Sequence, residues 1–348
     1  MKVVDLFCGA GGLHLGFKEA GFEINLAVDN NPIVAKTHEY NFPDIPFFSG
    51  NISELTKSEL FSIIGEKEID VLVGGPPCQG FSTIGKRVSS NIDKRLAKDP
   101  RNKLILEYIR ILNQLQPKYF VIENVKGLLT MDKGEFIKGI YKELDKTDYN
   151  YDLKLLNMAD YGVPQLRERV FIIGNRLGHE VDFPLPTHSG LEENSALPWE
   201  NCWSVIHDLA EIEEDKDFNH VALKHTEKNI ERYKLIPEGG RLPENDLPPE
   251  LYRKNFGNTY KRLSRYKPAL TMVPGNDAFP IHPTLHRSLT VREAARIQTF
   301  PDWMVFKGNR RQQGHQVGNA VPPLFAKILA KYIMNKLLEG ETNYVKCR

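Results

Sequence analysis

Short apolar segments that alternate with helix-like segments constrain the fold of this 348-residue chain more than any other feature. VVDLF (3–7), INLAVD (24–29), IDVLVGG (69–75) and KYFVIENV (118–125) are largely apolar runs of strand length, and LILEYIRILNQLQ (104–116) has apolar residues at helical spacing. Strands that are apolar on both faces and are connected by helices favour an α/β fold with a doubly wound, mostly parallel sheet. Ligands of such a sheet bind beyond the carboxyl ends of its strands.

Glycine or polar residues follow each of these strands. The turn GAGG (9–12) follows the first strand, Asp29 ends the second, and Glu123 lies near the end of the fourth. Because parallel strands end at the same edge of a sheet, we expect these features to meet in one crevice. The glycine turn would either cradle a cofactor or only allow close packing of the next helix. Asp29 would either receive ribose hydroxyls, or Asp29 or Asn30 would cap the helix that begins near Pro32.

Cys78 follows the third strand in the turn PPCQG (76–80), where two prolines fix the chain before it. The four cysteines lie far apart without a CxxC pair, which argues against a zinc site or a disulfide framework, and no metal is expected. Cys78 is either a nucleophile or a small buried apolar side chain. The carboxyl group of Glu123 in an apolar strand favours a polar site. A thiol and a carboxylic acid that can protonate a ring nitrogen suit chemistry on an electron-poor heterocycle.

The formal net charge of +1 conceals an uneven distribution of charge. Residues 1–82 carry five Lys/Arg against eleven Asp/Glu, residues 83–103 carry seven against two, and residues 224–267 carry eleven against six. The two basic segments are either solvated surface or the walls of a cleft that binds a polyanion. No apolar run reaches the ~18 residues of a membrane span, and no signal-peptide pattern precedes the first strand, so we expect a cytoplasmic protein.

Six motifs resemble, in their order, the signature set of the cytosine-5 DNA methyltransferases of the prokaryotic restriction-modification type. They are DLFCGAGG, GGPPCQGFS, ENV, QLRERVFIIG, RSLTVREAARIQTFPD and QVGNAVPP. The resemblance implies a Rossmann-like methyltransferase fold with S-adenosyl-L-methionine as cofactor, S-adenosyl-L-homocysteine as its product and no metal. It implies methyl transfer to carbon 5 of a flipped-out cytosine in a specific short duplex DNA sequence, through a covalent cysteine adduct at carbon 6.

The resemblance also assigns roles to individual residues. Cys78 resembles the nucleophile, and Glu123, Arg167 and Arg169 resemble the groups that hold the target base. Asn51 stands where the family usually has an aspartate, and its carbonyl oxygen would accept a hydrogen bond from the adenine amino group. The residues implied to bind the cofactor are Phe7, Gly9, Ala10, Gly11, Gly12, Asp29, Asn30, Asn51, Ile52, Pro77, Leu104, Asn319 and Val321.

The pattern of strands and helices changes after residue 177, where the chain becomes rich in Pro, Asn, Glu and Lys. We expect residues 1–177 and 312–348 to form the catalytic and cofactor-binding domain, and residues 178–311 a smaller, loop-rich target-recognition domain with the hinge. The basic loop after Ser82 would close on phosphates or make no DNA contact. The residues expected to contact DNA are Ser82, Lys86, Arg87, Arg253, Lys254, Asn258, Tyr260 and Arg262.

The resemblance implies double-stranded DNA as the partner and no membrane. It also implies a monomer in the bacterial cytoplasm, associated with the nucleoid, and a cognate restriction endonuclease encoded nearby. Two alternatives stay open. One is an RNA cytosine methyltransferase on the same scaffold, a branch marked by a CFT tripeptide that this sequence lacks. The other is a catalytically silent DNA-binding or cofactor-binding module, against which the intact Cys78, Glu123, Arg167 and Arg169 count.

Overall fold

The computed structural model describes most of the chain: residues 1–65, 68–77, 103–191, 196–243, 247–252, 260–273 and 279–346, with side chains described up to residue 339. The strands of this part of the chain are β1 (Lys2–Leu6), β2 (Glu23–Asp29), β3 (Phe47–Ser49), β4 (Val71–Gly74), β5 (Tyr119–Val125), β6 (Asn150–Asn157), β7 (Gln165–Leu166), β8 (Glu168–Asn175), β9 (His188–Ser189), β10 (Leu197–Pro198) and β11 (Ala269–Leu270). The helices are α1 (Gly12–Glu19), α2 (Pro32–Asn41), α3 (Lys57–Ile64), α4 (Lys103–Leu115), α5 (Glu135–Leu144), α6 (Glu227–Lys234), α7 (Val291–Ile297), α8 (Arg310–Asn319) and α9 (Pro323–Lys346).

The central sheet has the strand order β3-β2-β1-β4-β5-β8-β6 among the described residues. The first five strands in this order, from β3 to β5, are parallel to one another. β8 runs antiparallel to both β5 and β6 at the other edge. The sheet is therefore mostly parallel, as the apolar runs predict. β2 and β3 are added on one side of β1, and β4 and β5 on its other side. This switch in the order of the strands creates a crevice between β1 and β4, where ligands of doubly wound sheets bind.

Alternate residues of the strands enter two apolar cores on opposite faces of the sheet. Val3, Val71 and Val73 pack with α1 and α9 on one face. Val4 and Leu72 pack with α3, α4 and α5 on the other face. Because both faces are covered by helices, the strands must be apolar on both sides, and this explains their nearly continuous apolar runs. The prediction of a doubly wound α/β fold is confirmed.

The edge of the sheet departs from the simple alternation of strand and helix. β6 follows α5 and is mostly exposed or half-buried, with a burial pattern that changes at each residue. β8 then returns beside β5, so the carboxyl end of β5 and the amino end of β8 lie together, with Val125 opposite Arg169. This antiparallel return brings Arg169 to the same edge as the carboxyl ends of the parallel strands.

Residues between β8 and α7 are loop-rich, as their composition predicts. They hold the strand pair β9 with β10, the helix α6, and β11, which pairs with β7 from before β8. A small core of its own forms around Tyr233, Leu242 and Ile281, whereas Cys202 and Met272 pack into the core that contains α1 and α9. The division into two domains at residues 178 and 311 stays a prediction. No described helix is long and apolar enough to cross a bilayer.

Candidate active site

A cavity of about 650 Å³ opens at the carboxyl ends of β1, β2, β4 and β5. Glu123 and Arg169 both line this cavity. It is also lined by most of the residues that the sequence assigns to a cofactor: Phe7, Gly9, Asp29, Asn30, Asn51, Ile52, Pro77, Leu104, Asn319 and Val321. Its volume is in the range of cavities that hold cofactor-sized molecules. The predicted convergence of the strand ends on one crevice is therefore observed.

The turn after β1 lies under this cavity. Phe7 has a φ of 58°, a left-handed conformation that costs on the order of 1–3 kcal/mol for a residue with a side chain. Gly11, with a φ of 89°, adopts the same region without that cost. A Cβ atom on Gly12 would overlap the carbonyl oxygen of Val321. Gly11, Gly12 and the buried Ala10 do not line the cavity. Gly12 lets the turn pack against Val321, and Gly11 packs against His14 and Phe42.

Asp29 joins the glycine turn to the end of β2. Its Oδ2 accepts a hydrogen bond from the backbone N–H of Gly9 (3.0 Å), and its Oδ1 accepts one from Asn31 (2.9 Å). Asn31, not Asp29, caps α2, because its side chain accepts from the N–H of Ile33. The alternative role of Asp29 as the cap is therefore wrong. Burial raises the pKa of the Asp29 carboxyl, against the lowering effect of these N–H groups, and each oxygen keeps a lone pair for a further donor.

Asn51 lies at the cavity wall, at the start of a short 3₁₀ turn. Its side-chain oxygen accepts a hydrogen bond from the N–H of Ser53 (3.2 Å) and so caps that turn. The side chain is exposed. A carboxamide oxygen has two lone pairs, so this bond leaves one acceptor position open toward the cavity.

Glu123 and Arg169 form a nearly buried ion pair at the cavity wall. Arg169 Nε lies 3.1 Å from Glu123 Oε1, and the two side chains are 12% and 11% exposed. Burial raises the pKa of Glu123, while the charges of Arg169 and Arg167 oppose the rise. Asn124, the next residue, donates from Nδ2 to the carbonyl oxygen of Pro76 (2.9 Å) and ties β5 to the proline turn. A carboxyl group that is held in place and whose pKa is raised is suited to donate a proton to a bound ring.

Cys78 lies outside the described residues, but Pro77, the residue before it, lines the cavity. The described cysteines, Cys8 and Cys202, are both buried and free of disulfides. Burial raises the pKa of the Cys202 thiol to about 12 and that of Cys8 well above its ordinary value. Neither thiol forms an appreciable thiolate at neutral pH. Among the residues that the structure describes, no group of three or more His, Cys, Asp or Glu could hold a metal ion.

Comparison with known proteins identifies the protein family to which this chain belongs. The family model for C-5 cytosine-specific DNA methylases matches residues 1–335. The chain belongs to this family. It is 38% identical to the Type II methyltransferase M1.HphI of Haemophilus parahaemolyticus over 337 residues, covering 96% of this chain and 87% of the relative. It is 34% identical to the Type II methyltransferase M.XorII of Xanthomonas oryzae pv. oryzae, covering 96% and 84%.

A solved structure extends this similarity to the fold. It is the crystal structure of an E. coli protein described as a DNA modification methyltransferase encoded within a prophage. The two structures superpose with a TM-score of 0.76 at 26% sequence identity, over 97% of this chain and 99% of the other. The chain is thus a DNA cytosine-5 methylase with the fold of DNA methyltransferases.

Arg167 of the methylase does not lie where the sequence-based assignment puts it. The side chain is fully buried, and its Nη atoms donate to the carbonyl oxygens of Gly318 (3.0 Å) and Ala320 (2.8 Å). It does not line the cavity with Glu123 and Arg169. Burial lowers the pKa of Arg167 to about 9, which still leaves the guanidinium charged at neutral pH. Its buried Nε has no hydrogen-bond partner among the described residues. Because both Nη atoms are occupied by backbone carbonyls and the side chain does not line the cavity, we infer that Arg167 does not hold a target base.

Two of the residues assigned to DNA contacts are also buried. Tyr260 is 4% exposed, and its hydroxyl donates to Oδ1 of Asn229 (2.8 Å). Arg262 is 4% exposed and donates to backbone carbonyls that include those of Tyr233 and His282. Both side chains stabilise the loop-rich region between β8 and α7 from inside, so neither is exposed as the expected DNA contacts would be. The other expected contacts lie outside the described residues: Ser82, Lys86, Arg87, Arg253, Lys254 and Asn258.

A second cavity, of about 720 Å³, lies beside the pair of β7 and β11, with Leu166 and Leu270 in its wall. Lys261 and Lys267 line it together with the exposed Tyr266. Burial and the nearby charges of Arg241 and Lys267 lower the pKa of Lys261. Within the described part of the chain neither lysine forms an ion pair with a carboxylate. The two lysines make this surface cationic, and its wall includes Leu166, which precedes Arg169 by three residues in the sequence.

Some site residues were missed by the sequence-based assignment. Gln312, His315 and Gln316 line the cavity from one face of α8. Asn124 lies inside the ENV motif and makes a hydrogen bond that shapes the proline turn. A signal for Asn124 exists in the sequence, because an amide near the end of a buried strand needs a partner. The α8 residues carry no such signal, because RRQQGHQ reads as an exposed polar helix until the cavity beside it is known.

Proposed function

We propose that the chain transfers a methyl group from S-adenosyl-L-methionine to carbon 5 of a flipped-out cytosine in a specific short DNA duplex sequence. The observation that carries the proposal is one cavity whose wall combines the cofactor-type residues with the Glu123–Arg169 pair and with Pro77, directly before Cys78. Family membership supports the reaction and the DNA substrate. The geometry supports a site where cofactor and base can lie side by side.

The residues of the cavity fit S-adenosyl-L-methionine. No atom lies within 4 Å of the place where a Cβ would project from Gly9, so the turn is open toward the cavity. The Asp29 carboxylate would accept the ribose hydroxyls, and the free lone pair of Asn51 would accept the adenine amino group. Leu104 and Ile52 offer apolar contacts. The cofactor supplies an electrophilic methyl group on its sulfonium sulfur.

Cys78 would act as the nucleophile, because carbon 5 of cytosine is too weak a nucleophile by itself. The thiolate adds to carbon 6, and the new S–C bond moves the ring electrons toward carbon 5 as an enamine. After carbon 5 has taken the methyl group, a base removes its hydrogen as a proton. The C6–S bond then breaks, and the thiolate and an aromatic ring are restored.

Glu123 would donate a proton or a hydrogen bond to ring nitrogen 3 and so make carbon 6 electrophilic. Its raised pKa favours the protonated form that this role needs. Arg169 holds the Glu123 carboxyl in place at 3.1 Å and lines the cavity, where its other donors can reach the carbonyl oxygen of the base. Arg167 would not hold the base, since its Nη atoms are bound to Gly318 and Ala320; it acts on this step only through its charge, which lowers the pKa of Glu123.

The cytosine would have to leave the duplex to reach this cavity. Flipping costs a few kcal/mol, which contacts with the DNA backbone have to offset. The relatives are Type II methyltransferases by name, and we extend this role to the chain. It would protect DNA from a cognate restriction endonuclease encoded nearby.

Methyl transfer to purified nucleic acids tests the function. We expect tritium from methyl-labelled S-adenosyl-L-methionine to enter duplex plasmid DNA and not transfer RNA. Bisulfite sequencing of the product should find 5-methylcytosine at one position of a short recurring sequence. Label in transfer RNA alone would favour the RNA methyltransferase, and label in neither, with a folded protein that binds DNA, would favour the silent module.

The cationic surface at Lys261 and Lys267 would contact DNA phosphates. The double variant Lys261→Ala/Lys267→Ala is expected to weaken binding to every duplex sequence. Each lost phosphate contact should reduce the slope of log affinity against log salt by roughly 0.9. Fluorescence anisotropy of a labelled duplex at several salt concentrations measures both effects.

A variant with the same change of charge provides the control. Lys138 lies on α5, and Lys146 lies just after this helix. Lys146 precedes β6, whose first residue lies at the end of the sheet opposite to the strand ends that line the cavity. Lys138→Ala/Lys146→Ala is expected to keep the slope of the unaltered chain. An equal change of slope in both double variants would show a loss of overall charge only, and the surface would not be a DNA contact.

A further inference from the structure

Two side chains from distant parts of the chain bind the last carbonyl groups of α8. Arg167 donates to the oxygens of Gly318 and Ala320, and Gln298 donates from Nε2 to the same oxygen of Ala320. Because α8 ends at Asn319, these carbonyls have no partner inside the helix. A cation at this end is also favoured by the helix dipole. The guanidinium and the amide therefore cap the carboxyl end of α8.

Gln298 is itself held in one orientation. Its Oε1 accepts a hydrogen bond from Nε2 of Gln165 (2.6 Å), and Oε1 of Gln165 accepts one from the N–H of Met272 (2.9 Å). Both glutamine side chains are fully buried. The Gln165 bond occupies the oxygen of the Gln298 amide and thereby turns its NH₂ group toward Ala320.

The capped carbonyls belong to the segment that closes the cofactor cavity. Asn319, Ala320 and Val321 all line that cavity. The carbonyl oxygen of Val321 lies so close to Gly12 that no Cβ would fit between them. Pro322 and Pro323 follow, and they have no N–H that could bind the segment to a neighbour. The position of residues 318–321 over the glycine turn therefore depends on donors from elsewhere, which Arg167 and Gln298 supply.

We propose that Arg167 and Gln298 are positioning residues that set the affinity for the cofactor by holding residues 318–321 against the glycine turn. This inference rests on the proposed function, because it takes S-adenosyl-L-methionine as the ligand of the cavity. Arg167 thus acts on the cofactor side of the site. If it turned to a target base instead, the carbonyl of Gly318 would be left buried without a donor.

Binding of S-adenosyl-L-homocysteine to the full chain tests the inference by calorimetry. Gln298→Met keeps the volume and removes both hydrogen bonds of this side chain, the one to Ala320 and the one from Gln165. The dissociation constant should therefore rise about threefold to tenfold. Arg167→Lys keeps the charge but loses the planar guanidinium fork that reaches the carbonyls of Gly318 and Ala320 together, and a rise at least as large is expected. The Michaelis constant for S-adenosyl-L-methionine should rise with little change in kcat, and duplex DNA should bind unchanged.

Gln313→Met is the matched control. Gln313 lies on the same helix, and its Nε2 donates to the carbonyl of Gly308, away from residues 318–321. It is expected to bind S-adenosyl-L-homocysteine like the unaltered chain. Circular dichroism checks the fold of each variant, and Gln298→Met decides alone if Arg167→Lys does not fold.

Two failures can be told apart. If folded Gln298→Met and Arg167→Lys bind S-adenosyl-L-homocysteine as tightly as the unaltered chain, the inference is wrong. If Arg167→Lys binds the cofactor product normally but binds target DNA more weakly, Arg167 contacts the target base and does not position the cofactor site. If the unaltered chain itself does not bind S-adenosyl-L-homocysteine, the proposed function fails at the cofactor.

Discussion

Replacing Cys78 by serine is expected to abolish methyl transfer and to leave DNA binding largely intact. An alcohol is far less available as an anion near neutral pH than a thiol, so the addition to carbon 6 should fail. We expect a loss of roughly 10⁴-fold or more in kcat, as for other enzymes that lose a nucleophile. Incorporation of labelled methyl groups and anisotropy with the same duplex measure the two properties.

A trapping experiment makes this prediction specific to a covalent step. DNA with 5-fluorocytosine at the target should form a denaturation-resistant complex with the unaltered chain, because fluorine cannot leave as a proton does. The Cys78→Ser variant should form none. Cys202→Ser is the control, since the Cys202 thiol is buried against the carbonyl of Ser264 and lies outside the cavity. Full turnover by Cys78→Ser would show that Cys78 is not the nucleophile.

The sheet and its ligand edge could be predicted because they follow from local patterns. The run at 118–125 predicts β5, observed at Tyr119–Val125, and the helical spacing at 104–116 predicts α4, observed at Lys103–Leu115. Glu123 and Asp29 could be placed near each other because parallel strands end at one edge. The antiparallel return of β8 could not be predicted in this way, since the run VFII is equally suitable for either direction.

The burial of Arg167 and Arg262 could not be predicted from the sequence. Their positions in a motif and in a basic segment indicate a charge, and an arginine usually keeps its charge near water. Burial becomes favourable only when carbonyl groups gather around the guanidinium. For Arg167 those carbonyls come from Gly318 and Ala320, about 150 residues later in the chain. Such a pairing depends on tertiary contacts between Arg167 and the end of α8, which no local pattern specifies.

Replacing Glu123 by glutamine is expected to lower kcat by about 10²–10⁴, the usual contribution of a general acid. Glutamine has nearly the same shape, its oxygen can still accept from Arg169, and its NH₂ group can still donate a hydrogen bond to ring nitrogen 3. It cannot transfer a proton. The Michaelis constant for DNA should therefore change little while kcat falls, as measured by initial rates with the methylated sequence.

The pH dependence of kcat separates this role from a structural one. The pKa of Glu123 is raised by burial, and the protonated form is the active one, so kcat of the unaltered chain should fall as pH rises through that pKa. Glu123→Gln should lack the fall at high pH, because glutamine does not titrate. Glu168→Gln, an exposed neighbour paired with Lys126, makes the same change of charge and should keep both the rate and the profile. A Glu123→Gln profile with the fall intact would mean that another group supplies the proton, and Glu123 would then serve only to hold Arg169.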